Sequence, residues 1–414
     1  MADPYRRRRL SLFALSLLTG IGLSSWVTRT PAVRDAVEAS TAGMGLILFG
    51  LSVGSMVGVL SAGYYVRRHG ARPVIVVGAA LTVVGVAVIA LGAGAAAAAG
   101  VFAGLLLVGL GGGLGEIGLN IEAAAVETAT RRPVLPLLHG CFSLGTVVGA
   151  LAGIGLTAVS FPVVWHLLAV AVVMAAFALW AFPGIPAGTG RTRAHGRQDD
   201  DSRRTRERRP SVWRDSRLVL IGVVVLAMAF AEGSANDWLP LLMVDGHGVS
   251  AASGSLVYAG FALAMTVGRF AGGPFVVRYG RRAVLSVSAV GGAIGVAGVV
   301  FAPNPVLAGI AVALWGLGAS LGFPVAISAA GDDPERGAER VSAVATSGYL
   351  AFLVGPPLLG FLGEHAGLRQ AMLVVAALLV VAALAARGAN PPPSTPATPT
   401  DRAIRPPAAT RDPR

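Results

Sequence analysis

Twelve stretches of roughly 20 apolar residues follow one another along this chain, each about as long as a bilayer core is thick. Their approximate limits are residues 9–28, 41–65, 73–93, 97–128, 135–159, 161–182, 217–243, 250–276, 282–302, 304–329, 339–363 and 367–386. Inside a membrane every backbone polar group needs an internal partner, so each stretch is expected as an α-helix. Composition agrees: of 414 residues, 54% are hydrophobic and only 13% charged, against about 25% charged in a soluble domain. The mean hydropathy is +0.71. The first stretch follows Arg6 to Arg9 and has the outline of a signal peptide. It ends at Ser24-Ser25-Trp26 without a small-x-small cleavage pattern, and eleven more stretches follow, so it is expected to remain as a span.

Charge sets the orientation. All 33 basic residues are arginine, and with both termini cytoplasmic 29 of them fall in inner segments. Only Arg29, Arg34 and Arg369 are left for outer loops, and Arg269 stands inside a span. This asymmetry predicts cytoplasmic N and C termini in a bacterial inner membrane. The same asymmetry accounts for the net charge of +12 without nucleic-acid binding. Residues 186–216 form an arginine-rich linker, and residues 388–414 a proline-rich tail expected to be disordered. The single cysteine, Cys141, has no disulfide partner within the chain and reads as a packing residue. No phosphate-binding G-x-x-x-x-G-K-[ST] loop, metal cluster or nucleophile-base pair is present, so no cofactor and no enzymatic activity are expected.

The chain also repeats itself. Gly63 to Arg72, GYYVRRHGAR, returns as Gly273 to Arg282, GPFVVRYGRR, and at the same shift of 210 residues Ser40 meets Ser250. Gly109 to Gly115, GLGGGLG, returns as Gly316 to Gly322, GLGASLG, at a shift of 207. A nearly constant shift across several spans predicts two parallel six-helix bundles, residues 1–185 and 217–387. Such a pair, joined by an inner linker, is the architecture of a rocking transporter with its site between the halves.

These motifs resemble the major facilitator superfamily over residues 8–386. The loop after the second helix there reads roughly G-x-x-x-D-R-x-G-R-R. Gly63, Arg68, Gly70 and Arg72 fit it, with Arg67 at the aspartate position. Gly273, Arg278, Gly280, Arg281 and Arg282 fit it again, with Val277 at that position. The resemblance implies an all-α membrane fold of 12 transmembrane helices in two pseudo-symmetric six-helix bundles. It implies a gating role on the cytoplasmic side for Arg68, Arg72, Arg278 and Arg282. The stretches NIEAAAVE, HGCFSLG, AEGSANDWLPLLM and SGYLAFLVGPPLLG resemble more narrowly the rhizopine-related (MosC-like) bacterial membrane proteins near the fucose-permease group. That implies a solute of sugar or polyol type.

The candidate site residues are the polar groups that an apolar span should not carry. Glu116, Asn120 and Glu127 fall on one stripe of the fourth span at about 100° per residue. Glu116 stands about 22 Å of helix from Arg131, well inside the membrane, and is the leading proton-coupling candidate. Asn120 can donate to and accept from a polyol. Glu127 and His139 are expected at a cytoplasmic gate, Glu127 pairing with Arg68, Arg131 or a basic residue of the other half. Glu122, off the stripe, is expected to be structural. In the seventh span Glu232 and Asn236 share a face and complete the candidate pathway. Asp237 is expected near the outer edge as a gate paired with Arg29 or Arg34. Trp26, Trp238 and Trp315 are candidates for stacking on a ligand, against interfacial anchoring or core packing. Gly355-Pro356-Pro357 is expected to bend the eleventh span.

The sequence therefore points to a monomeric secondary transporter moving a small-molecule substrate with protons across the lipid bilayer by alternating access. An efflux antiporter for drugs or metabolites on the same fold, or a membrane receptor that binds a solute without moving it, are the alternatives.

Overall fold

The computed structural model describes residues 5–131, 134–191, 212–333 and 336–390. The middle of the expected linker and nearly all of the expected tail lie outside the described residues. Among those described the fold is helical, with no strand. The first bundle comprises α1 (Arg6–Ala36), α2 (Thr41–His69), α3 (Ala71–Gly94), α4 (Ala98–Thr130), α5 (Leu135–Ala158) and α6 (Val163–Ala181). The second comprises α7 (Ser216–His247), α8 (Ala251–Phe301), α9 (Pro305–Ala319), α10 (Gly322–Ala330), α11 (Gly337–Ala366) and α12 (Leu368–Ala385).

Eleven helical stretches are long and apolar enough to cross a membrane. One of them, α8, has 51 residues and is two spans joined at Gly280, where φ is 78° and ψ 161°. The chain thus carries the twelve spans expected, the tenth made of α9 and α10 together.

The internal repeat is visible in the backbone. Gly70 has φ 89° and ψ 168°, nearly the conformation of Gly280, and this region is open essentially to glycine alone. Ser40 and Ser250 each cap a helix N-terminus, their hydroxyls accepting from Gly43 N and Ser253 N. A Cβ on Gly109 would run into the Leu51 carbonyl, and one on Gly316 into the Phe261 carbonyl. Leu51 and Phe261 are themselves 210 residues apart, so the same helix crossing is built twice.

The bases of both bundles are pinned alike. Arg8 Nε donates to Glu122 Oε1 at 2.6 Å, joining α1 to α4. Arg217 Nη2 donates to Asp332 Oδ2 at 3.1 Å and Arg281 Nη1 to Asp332 Oδ1 at 2.5 Å. Burial pushes the Asp332 carboxyl up, but the hydrogen bonds and charges of Arg281 and Arg217 outweigh it and hold it below the usual carboxylate range.

Two expectations about helix shape change. The eleventh span runs unbroken through Pro356 and Pro357. The interruption comes instead in the tenth, at Ser320 and Leu321 between α9 and α10. Pro324 stands in the first turn of α10, where a missing backbone donor costs nothing. The first span runs on through Pro31 to Ala36, which puts Arg29 inside a helix rather than in an outer loop.

Candidate functional site

The two bundles meet along α2 and α11, α5 and α8, and α1 and α7. Three hydrogen bonds join the bundles at the end remote from the chain termini. Arg34 donates to Asp245, Ala42 N to Glu364 Oε2 at 2.9 Å, and Ser255 Oγ to the Thr28 carbonyl at 3.0 Å. There Gly45 and Gly360 bring α2 and α11 into backbone contact. At the opposite end residues 269–280 of α8 are exposed at every position except Gly272 and Val276. A helix that packs at one end and lies bare at the other describes a cleft closed on the far side and open toward the termini.

Glu116 faces this cleft. It is exposed, yet it interacts electrostatically with His139 of α5 and with Tyr349 of α11 in the other bundle. Among the described residues it makes no hydrogen bond or ion pair. Asn120, one turn on, is half-buried, and its Oδ1 has no partner. His139 is exposed in the first turn of α5.

The second bundle contributes a different arrangement. Arg269 Nη2 donates to both carboxylate oxygens of Glu232, at 3.0 and 3.2 Å, and Arg269 Nε reaches the Ser320 carbonyl at 3.4 Å. That carbonyl is freed by the break in the tenth span, so one guanidinium serves both a carboxylate and a helix end. Tyr258 donates to Asn236 Oδ1 at 3.2 Å and feels the charges of Asp237 and Glu232. Glu232, Asn236, Asp237, Tyr258 and Arg269 therefore form one cluster on α7 and α8.

Several expected roles are corrected. Among the described residues Glu127 pairs with no arginine; its Oε2 accepts from Val134 N at 2.7 Å and Leu135 N at 3.0 Å, capping the start of α5. Asp237 is not paired with Arg29 or Arg34. Arg34 bonds Asp35 and Asp245, while Arg29 bonds His166, so Asp237 belongs to the Tyr258 cluster instead. Trp26, Trp238 and Trp315 are buried in the core at 3%, 0% and 0% exposure, which leaves no face for a ligand or for the membrane surface. Trp315 packs edge-on against Phe261 at 5.5 Å. Of the four loop arginines, Arg68 donates to the Tyr64 hydroxyl and Arg278 lies over the Tyr279 ring. Arg72 and Arg282 bond no acid among the described residues. The loop arginine that does is Arg281, through Asp332.

Sequence reasoning missed Tyr349, Tyr258 and the far-side clamp of Arg34, Asp245 and Glu364. Tyrosines are unremarkable in an apolar helix, and no spacing signals a contact between residues over 200 positions apart. A cavity of about 30 Å³ inside the first bundle, beside Thr19, Thr82, Gly112 and Gly115, is too small for a solute.

The sequence model of the Major Facilitator Superfamily matches residues 10–334 and 238–413. An uncharacterized MFS-type transporter of Yersinia pestis is 29% identical over 381 residues, covering 92% of this chain and 94% of its own. The membrane protein MosC of Rhizobium meliloti is 26% identical over 388 residues, covering 91% and 89%. Among solved structures, a D-xylose-proton symporter superposes with a TM-score of 0.74 at 15% identity, covering 92% of this chain and 97% of that one. The Escherichia coli fucose:proton symporter FucP superposes with a TM-score of 0.62 at 17% identity, covering 94% and 100%. Twelve spans in two repeated bundles about a one-sided cleft, with a family match across nearly the whole chain, make this protein a transporter of the Major Facilitator Superfamily.

Proposed function

We propose that the protein is a proton-coupled symporter for a small polar solute of sugar or polyol type, working by alternating access in a bacterial cytoplasmic membrane. One observation carries the reading: Glu116 is a carboxylate in the inter-bundle cleft with no bonded cation among the described residues, in electrostatic reach of Tyr349 of the opposite bundle. A membrane-embedded carboxylate without a partner is costly to hold charged, so it gains by taking up a proton whenever the cleft leaves water. Glu232 differs because Arg269 already neutralises it. Asn120, Asn236 and Tyr258 supply hydrogen-bonding groups suited to hydroxyls. The arginine asymmetry puts the open end in the cytoplasm, so this state is ready to release solute and proton inward. Residues 1–185 and 217–387 are the rocking units, with 186–216 the connection between them. The sugar-proton symporters of like fold support the solute class.

Proteoliposomes loaded symmetrically with radiolabelled sugars or polyols and given an inward proton gradient test the reading. Accumulation of at least one solute is expected, and Glu116→Gln should cut gradient-driven accumulation by at least tenfold, with normal insertion. Accumulation by Glu116→Gln equal to the parent rejects the coupling role. Net extrusion identifies an antiporter, and saturable binding with no flux identifies a receptor.

A further inference from the structure

Among the described residues, four acids stand two or more turns inside the ends of membrane-spanning helices. They are Glu116 and Glu122 in the first bundle, and Glu232 and Asp237 in the second. Each bundle neutralises one of its two. Arg8 bonds Glu122 and Arg269 bonds Glu232. Glu116 and Asp237 are left, among the described residues, with neither a hydrogen bond nor an ion pair.

The surroundings of Asp237 account for its isolation. Tyr258 of α8 is the described titratable group that feels its charge, and the Tyr258 hydroxyl donates to Asn236 Oδ1 at 3.2 Å. Arg269, the cation of this cluster, is committed to Glu232 and to the Ser320 carbonyl. Among the described residues no donor remains to hold Asp237 as a carboxylate. Packing does not ask for an acid here either. At the repeat's shift of 210 the counterpart of Asp237 is Val27, 1% exposed in the core. Asp237 is half-buried, which leaves it surface through which a proton can arrive.

The two bare acids lie at different depths. Helical rise puts Glu116 about 27 Å from the far-side end of α4, and Asp237 about 15 Å from that of α7. Tyr258 is one turn from Ser255, whose hydroxyl ties α8 to the Thr28 carbonyl across the bundles. Asp237 thus sits beneath the closed end, and Glu116 nearer the open one. A carboxylate within a span is costly to hold charged, and a proton removes the charge without needing a cavity.

We infer that Asp237 is a second proton-binding carboxylate of the transport cycle, so that two protons, one on each bundle, move with each solute. The inference rests on the symport reading and adds its stoichiometry. Each acid takes a proton from water on the far side and returns it to water on the cytoplasmic side, with no other bond made or broken.

The test uses the full chain in proteoliposomes, with radiolabelled sugars and polyols as probes. The membrane potential is held at zero and the outside is made more acid by about one pH unit, so each coupled proton multiplies the attainable solute ratio by about ten. The parent should reach a plateau of about 100-fold, Asp237→Asn about tenfold, and Asp237→Glu about 100-fold again. The plateau reads stoichiometry rather than the amount of active protein, so a misfolded fraction does not imitate the result. A parent plateau of about tenfold overturns the second proton and leaves the symport reading standing. A plateau in Asp237→Asn equal to the parent's overturns the assignment to Asp237. A parent that accumulates none of the probes overturns the symport reading, and this inference with it.

Discussion

Glu116 and Glu232 are both glutamates within membrane spans, and their neighbours make them different chemical objects. Glu232 shares a guanidinium with the Ser320 carbonyl, whereas Glu116 has a histidine and a tyrosine in electrostatic reach and no cation bonded among the described residues. Because the Glu232 and Arg269 side chains are 21% and 45% exposed, their pair is screened and its coupling modest. Glu232→Gln and Arg269→Gln are each expected to destabilise the protein. The double variant should recover about 0.5–1 kcal/mol relative to their sum, measured by thermal unfolding in a double-mutant cycle. Glu127 teaches the same lesson from the other side. Its spacing placed it on the stripe with Glu116, but the start of α5 offers it two free amides, and a cap is what it became.

At the scale of elements, the tight turns at Gly70 and Gly280 are equivalent in backbone and unequal in surroundings. Alanine at either position meets a conformation costing about 1–3 kcal/mol. Gly280→Ala incurs that cost alone, since nothing lies within 4 Å of its would-be Cβ. Gly70→Ala should lose more, because a Cβ there comes 3.1 Å from Gly188 Cα at the docked start of the linker. Comparing the denaturation midpoints of the two variants checks the order. The base of the second bundle has a pH signature. Asp332 is held below its ordinary value of 3.8 by Arg281 and Arg217 against the opposing effect of burial. A depressed carboxylate contributes stability that is complete above its unfolded pKa and fades as pH falls through the folded one. The parent should therefore lose stability on acidification below about pH 4, and Asp332→Asn should remove that part of the acid limb while lowering the neutral plateau. Thermal unfolding between pH 3 and 7 reports both.

For the whole molecule, the state is set by which end of the cleft is clasped. Arg34 with Asp245, Glu364 with the start of α2, and Ser255 with Thr28 hold the far end shut. Weakening that clasp is expected to populate the opposite state. On a Cys141→Ser background, spin labels at Ala95→Cys and Pro303→Cys, in the far-side loops of the two bundles, should report a longer and broader distance when Asp245→Asn and Glu364→Gln are added. An unchanged distribution would mean that the Gly45–Gly360 backbone contact and the Ser255–Thr28 bond suffice to keep the far end closed.

Much of this architecture was legible in the sequence, because it rests on local physics. Apolar length determined the spans, and a constant shift revealed the repeat. Each depends only on a residue and its near neighbours, or on the comparison of one stretch with another. The polar residues worth watching, Glu116, Asn120, Glu232 and Asn236, were legible for the same reason: a bilayer penalises them wherever they stand. Their partners were not. Pairing Glu232 with Arg269, or clasping Arg34 to Asp245, requires knowing which faces of distant helices meet and at what height, and no local pattern encodes that. The tryptophans show the converse, since a residue suited to a ligand or an interface is equally suited to a core, and only packing chooses. The sequence by itself determined a membrane protein of two repeated bundles with too many acids in its spans. The tertiary structure decided which acid is bare, which is neutralised, and which end of the cleft is open, because those are facts about contacts across the bundles.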